Sequence, residues 1–84
     1  MVNRRVLVVD DDALVRAGLK LLLSKADSGI EVVGEGTDGS DAVALVAEHP
    51  PDVVLMDIRM PQVDGITATR QVLAQPEPPK VVML

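Results

Sequence analysis

The chain contains no phenylalanine, tyrosine or tryptophan, and no cysteine. Without aromatic rings the core has to be built from aliphatic side chains. Without cysteine there is no disulfide scaffold, no thiolate metal site and no cysteine nucleophile, and the composition suits a reducing cytosol. Long apolar runs are also missing, so no segment is long enough to cross a membrane. Arg4-Arg5 precedes a short apolar stretch, but that stretch runs straight into Asp10-Asp11-Asp12, so it is not expected to be a secretion signal. Positive charge is scarce: the net charge is -5. Such a surface repels nucleic acid phosphates, so direct nucleic acid binding by this segment is not expected.

What is present describes one small domain. The 84 residues are 48% hydrophobic, enough for a packed core. A chain this short buries only about 60–65% of the surface that its unfolded form exposes, so its stability margin is thin. These features together lead to the expectation of a cytoplasmic domain.

Apolar runs and breakers alternate regularly along the chain. Strands are expected at residues 6–10, 30–34, 53–57 and 81–84, since each is a short run rich in β-branched residues. Helices are expected at 13–25, 40–48 and 65–73. Asp12 can cap the first, with Val15, Leu19, Leu22 and Ala26 turned inward, Leu23 alongside, and Gly18 allowing close approach to the sheet. Ser40 or Gly39 can cap the second, whose buried stripe is Ala42, Val43 and Val46, and Pro50-Pro51 stops it. Asp64 reads as a turn or cap before the third, with Ile66, Thr69, Val72 and Leu73 inward. Ser28-Gly29 separates the first helix from the second strand. The order β-α-β-α-β-α-β with short connections implies an α/β domain with a parallel sheet and right-handed crossovers.

The most informative residues sit at two strand tips. Val6-Leu7-Val8-Val9 ends in Asp10-Asp11-Asp12, and Val53-Val54-Leu55-Met56 ends in Asp57. In an open parallel sheet ligands bind beyond the carboxyl ends of the strands, where the strand order reverses. If the order is 2-1-3-4, Asp10, Asp11 and Asp57 meet there. Like charges at close range cost free energy, and a hard divalent cation removes that cost; Mg2+ fits a site with few carboxylates. An aspartate beside such an ion can accept a phosphoryl group. Asp57 is the candidate phosphoacceptor. Asp10, Asp11 and Asp57 are the candidate metal ligands, joined by the backbone carbonyl of Arg59.

The pieces Val8-Val9-Asp10-Asp11, Val54-Leu55-Met56-Asp57-Ile58-Arg59-Met60-Pro61 and Asp64-Gly65 resemble the receiver domains of two-component response regulators. The resemblance implies a flavodoxin-like sheet of order 2-1-3-4. It also implies phosphorylation of Asp57 by a histidine kinase or phosphotransfer protein, with a magnesium pocket at Asp10 and Asp11. The stretch from Asp10 to Leu19 and the run Val32-Val33-Gly34-Glu35-Gly36 are similar to the subfamily with a C-terminal helix-turn-helix output domain. A receiver continues with a hydroxyl residue at the fourth strand tip, a fifth strand ending in lysine and two further helices. The chain as given is therefore expected to be a receiver lacking the fifth strand and last two helices, with an exposed fourth strand and a tendency to self-associate. It is expected to assist its own phosphorylation without being an enzyme.

Two rival patterns are present. Gly34-Glu35-Gly36-Thr37-Asp38-Gly39 matches a dinucleotide-binding fingerprint, although Glu35 and Asp38 would face a pyrophosphate. A phosphatase of the haloacid dehalogenase type needs a second aspartate two residues after the first, where this chain has Arg59. A receiver-like interaction module that is never phosphorylated is a further alternative. His49 reads as an exposed helix end, Met56, Met60 and Met83 as packing, and Arg16 with Lys20 as a solvated helix face.

Overall fold

The computed structural model describes residues 4–26, 29–57 and 64–84. Along the chain run β1 (Arg4–Val9), α1 (Ala13–Ala26), β2 (Ile30–Gly36), α2 (Gly39–Glu48), β3 (Val53–Met56), α3 (Gly65–Leu73) and β4 (Lys80–Met83). The strands form one parallel sheet in the order β2-β1-β3-β4. This is the flavodoxin-like order expected from the sequence, and it makes β1 and β3 neighbours.

The sheet is apolar on both faces because helices cover both. Leu7 and Val9 of β1 and Val54 and Met56 of β3 point to one side, where they meet Ala42 and Val46 of α2 and Ala68 and Val72 of α3 in a single core. Alternation along β1 sends Val6 and Val8 to the other side, toward α1. A right-handed crossover on each side of β1 requires this division.

Strand ends depart from the expected ranges: β1 begins two residues earlier and ends one earlier, and β2 runs on two residues to Gly36. Its pairing with β1 skips one residue between Val6 and Leu7, so that Val6 faces Val32 and Leu7 faces Gly34. A Cβ at Gly34 would lie 2.9 Å from Leu7 Cδ2, and one at Gly36 would lie 3.0 Å from Asp41 Cβ. These glycines are therefore strand residues that let α2 settle on the sheet.

α2 buries the expected stripe, with Ala42 and Val46 buried and Val43 packed against the core, whereas α1 and α3 keep Leu19 and Val72 inward but turn other expected residues outward. On α1 the inner stripe is Arg16, Leu19 and Leu23, each partly buried, while Val15 and Leu22 are exposed. Gly18 has nothing within 4 Å of its would-be side chain, so it serves no close approach. On α3 the buried residues are Gly65, Ala68 and Val72; Ile66 and Leu73 face outward. α3 packs closely against α2, and its Ala68 and Val72 join Val54 and Met56 of β3 in the core, so small residues fill much of its inner face.

The caps are carboxylates. Asp12 accepts from Leu14 N–H at 2.9 Å, as expected. Asp64 accepts from Thr67 N–H at 2.7 Å, and this charge-favouring bond from the Thr67 backbone holds its pKa below the usual value. Asp38 caps α2, in place of Ser40 or Gly39, because its carboxylate reaches both the N–H and the hydroxyl of Ser40. His49 is the exposed residue that closes α2. No helix among the described residues is long and apolar enough to cross a membrane.

Candidate metal centre

The β1–β3 register pairs Val9 with Met56, so the next residue on each strand is an aspartate. Three backbone hydrogen bonds line up across the strand tips. Asp10 N–H donates to Gly36 O at 3.0 Å, Asp57 N–H to Val9 O at 2.9 Å, and Leu84 N–H to Met56 O at 2.9 Å. This row fixes where the acidic side chains leave the sheet.

Asp10, Asp11 and Asp57 each offer a carboxylate oxygen, and these oxygens lie within 4.8 Å of one another. Asp10 is buried, Asp57 half-buried and Asp11 exposed. Asp12 N–H donates to Asp10 Oδ1 at 2.9 Å, closing a short turn that points the β1–α1 connection outward. Burial raises the Asp10 pKa above the usual carboxylate value; the bond from Asp12 N–H opposes this, and the charges of Asp57, Asp11 and Asp12 add to the rise. Like charges at this range repel by on the order of 3 kcal/mol per pair at an effective dielectric near 20. A cation cancels that repulsion, and an all-oxygen donor set suits a hard ion such as Mg2+ rather than a soft metal. Arg59, the remaining candidate ligand, lies outside the described residues, as does Met60.

The acidic trio expected from the sequence is thus brought together. Sequence reasoning missed the basic residue behind it. Arg16 is not on a solvated face: its Nη1 donates to Asp10 O at 2.6 Å and its Nε to Glu35 Oε1 at 3.3 Å. Lys20 Nζ also meets Glu35, at 2.8 Å. The hydrogen bond from Lys20 is the main reason the Glu35 pKa is lowered, with Arg16 adding to it. The available signal was spacing: Arg16 shares a helical stripe with Leu19 and Leu23.

The glycine-rich fingerprint does not form a phosphate cradle. Glu35 is held by Arg16 and Lys20, Asp38 takes the donors of Ser40, and Asp41 accepts from both the N–H and the hydroxyl of Thr37 at 3.0 Å. The donors of Thr37 and Ser40 in this stretch are thus bonded to carboxylates. Two hollows, of about 290 and 370 Å3, lie at the opposite end of the sheet around Pro51, Glu77 and Pro79, and neither includes the acidic trio.

Comparison with known proteins places the fold in a family. Residues 6–84 match the family model of the response regulator receiver domain. The transcriptional regulatory protein LiaR of Bacillus subtilis is 48% identical over 80 residues, which is 95% of this chain and 37% of LiaR. A protein-glutamate methylesterase/protein-glutamine glutaminase of Geobacter metallireducens is 51% identical over 79 residues, 94% of this chain and 22% of that protein. The receiver domain of NarL from Mycobacterium tuberculosis superposes with a TM-score of 0.91 at 38% identity, covering 99% of this chain and 66% of that one. A chain of the CheX–CheY–BeF3–Mg2+ complex from Borrelia burgdorferi superposes with a TM-score of 0.89 at 28% identity, covering 98% of this chain and 61% of that one. The chain therefore spans about a third or less of the two curated relatives.

Proposed function

This chain belongs to the response regulator receiver domain family of two-component systems, and from that premise we propose that it accepts a phosphoryl group on Asp57 in a Mg2+-dependent reaction. The observation that carries the reading is the convergence of Asp10, Asp11 and Asp57, from two strand tips, within 4.8 Å. The donor is a phosphohistidine of a histidine kinase or phosphotransfer protein. A carboxylate oxygen of Asp57 forms the new P–O bond, the P–N bond to the donor imidazole breaks, and the imidazole leaves with its electron pair.

Asp10, Asp11 and Asp57 would hold the cation, with the Arg59 backbone carbonyl as a further ligand by family resemblance. Bound there, Mg2+ supplies charge neutralisation for the phosphoryl oxygens. Asp57 is half-buried at the sheet tip, which leaves it open to a partner protein while shielding one side from bulk water. That a structural neighbour was crystallised with BeF3 and Mg2+ supports the same chemistry for this chain.

The domain accepts a phosphoryl group and does not turn over external substrates. Its relatives attach receivers to transcriptional regulators and to a methylesterase. A transcriptional output in a cytoplasmic protein is the reading we favour, from the resemblance of its Asp10–Leu19 segment. β4 ends the sheet, with Val82 and Leu84 exposed, and we propose that this edge promotes self-association, which sedimentation at increasing concentration measures.

The test of the phosphoacceptor reading is mass spectrometry after incubation with acetyl phosphate and Mg2+. A labile phosphoryl adduct on the parent, absent from Asp57→Asn and absent with chelator, is expected. An unmodified parent would overturn it in favour of a receiver-like interaction module.

A further inference from the structure

The acidic trio runs from exposed Asp11 to buried Asp10, and on the buried side Asp10 is braced by Arg16. Arg16 lies on the inner stripe of α1 with its side chain only 15% exposed. Its guanidinium spans two acceptors on different strands: Asp10 O at the end of β1 and Glu35 Oε1 on β2. Glu35 precedes Gly36, whose carbonyl accepts the Asp10 N–H. Asp10 is thus fastened at its amide by β2, at its carboxylate by Asp12 N–H, and at its carbonyl by Arg16.

The carbonyl contact matters most for chemistry. Asp10 O belongs to the peptide plane that joins Asp10 to Asp11. Fixing that plane fixes the position of the Cα of Asp11, the most exposed of the three acids, and narrows the directions open to its side chain. We propose that Arg16 is a positioning residue: it sets the Asp10–Asp11 peptide so that both carboxylates face Asp57, with Glu35 holding the guanidinium in place. This inference rests on the phosphoacceptor reading of the site.

The proposal runs against simple electrostatics, which makes it testable. A positive charge behind three carboxylates weakens cation binding, so by charge alone its removal would tighten Mg2+. Positioning demands the reverse. Lysine keeps the charge, but an ammonium cannot reproduce the planar fork that reaches two acceptors in fixed directions. Lys20 supplies a matched control, since it pairs with the same Glu35 carboxylate without contacting Asp10.

The experiment is calorimetric titration of the 84-residue chain with Mg2+ alone, comparing the parent with Arg16→Lys, Arg16→Gln, Glu35→Ala, Glu35→Gln and Lys20→Gln, each checked by circular dichroism. Both Arg16 variants are expected to weaken Mg2+ binding roughly tenfold, the usual scale for residues that orient a metal ligand. Lys20→Gln should leave it unchanged or slightly tighter. If the Arg16 variants lose their fold, Glu35→Ala, which removes the acceptor for the guanidinium as well as the charge, is expected to weaken binding more than Glu35→Gln, which removes the charge alone; equal binding in the two overturns the positioning role. Unchanged binding in Arg16→Lys, or tighter binding in Arg16→Gln, overturns the positioning role while leaving the phosphoacceptor reading intact. A parent that binds no Mg2+ overturns the site itself.

Discussion

Asp57 donates its backbone N–H to the carbonyl oxygen of Val9 at 2.9 Å. That bond continues the β1–β3 ladder one step past the last paired residues and sets the acidic end of one strand beside that of the other. The chemistry proposed for Asp57 depends on this register. A slip of one residue would turn its side chain to the other face of the sheet.

Asp10→Asn is expected to stabilise the metal-free domain at neutral pH and to abolish its response to Mg2+. Burial and neighbouring carboxylates raise the Asp10 pKa, so its ionised form opposes folding. That opposition is absent below the ordinary carboxylate pKa and grows as the pH rises through the elevated folded value. The advantage of the variant should therefore fade in acid. With Mg2+ at about a hundred times its Kd, linkage stabilises the parent by roughly 2.7 kcal/mol. Thermal melts at several pH values, with and without Mg2+, test both effects.

Gly18 and Gly34 should respond oppositely to alanine. Gly18 faces open space inside α1, so Gly18→Ala should stabilise by roughly 0.5–1 kcal/mol. A Cβ at Gly34 meets Leu7, which is fully buried, and overpacking there should cost about 1–3 kcal/mol. Urea denaturation of the two variants measures the difference in sign.

Asp38→Ala should cost about 1 kcal/mol through loss of the α2 cap. Asp38 accepts from the N–H of Ser40 at 2.9 Å and from its hydroxyl at 3.0 Å. Ser40→Ala removes only the hydroxyl contact and should cost less. The same denaturation series ranks them.

Glu35→Gln should lower stability by under about 1 kcal/mol, because the ion pairs with Lys20 and Arg16 are partly exposed. Glu35 has a lowered pKa, chiefly from the Lys20 hydrogen bond. Its contribution is fully present above the ordinary glutamate pKa and is lost as the pH falls through the lowered folded value. The gap between parent and variant should close in acid and shrink with added salt.

The strand tips were legible because a short apolar run that ends in aspartate states both an element and its terminus. Two such runs, Val6–Val9 and Val53–Met56, were enough to bring Asp10, Asp11 and Asp57 together once the strand order was right. Helix faces were less legible. α1 carries Leu14, Val15, Leu19, Leu21, Leu22 and Leu23, so its apolar residues occupy several sides. Periodicity then gives the repeat but not the phase, and the phase is what makes Arg16 an inner residue. On α3 Val72 was legible as an inward residue, but the other inward positions are filled by Gly65 and Ala68, which carry little hydrophobic signal. The α2 cap was missed by one residue because Asp38, Gly39 and Ser40 are all credible caps.

The hydrogen bonds from Leu84 to Met56, from Asp57 to Val9 and from Asp10 to Gly36 all run in the same direction, from β4 toward β2. Their peptide dipoles consequently add along the rim of the sheet. A movement of the Asp57 peptide stretches a bond to β1 and turns the carbonyl that Leu84 grips, so both neighbouring strands feel it directly.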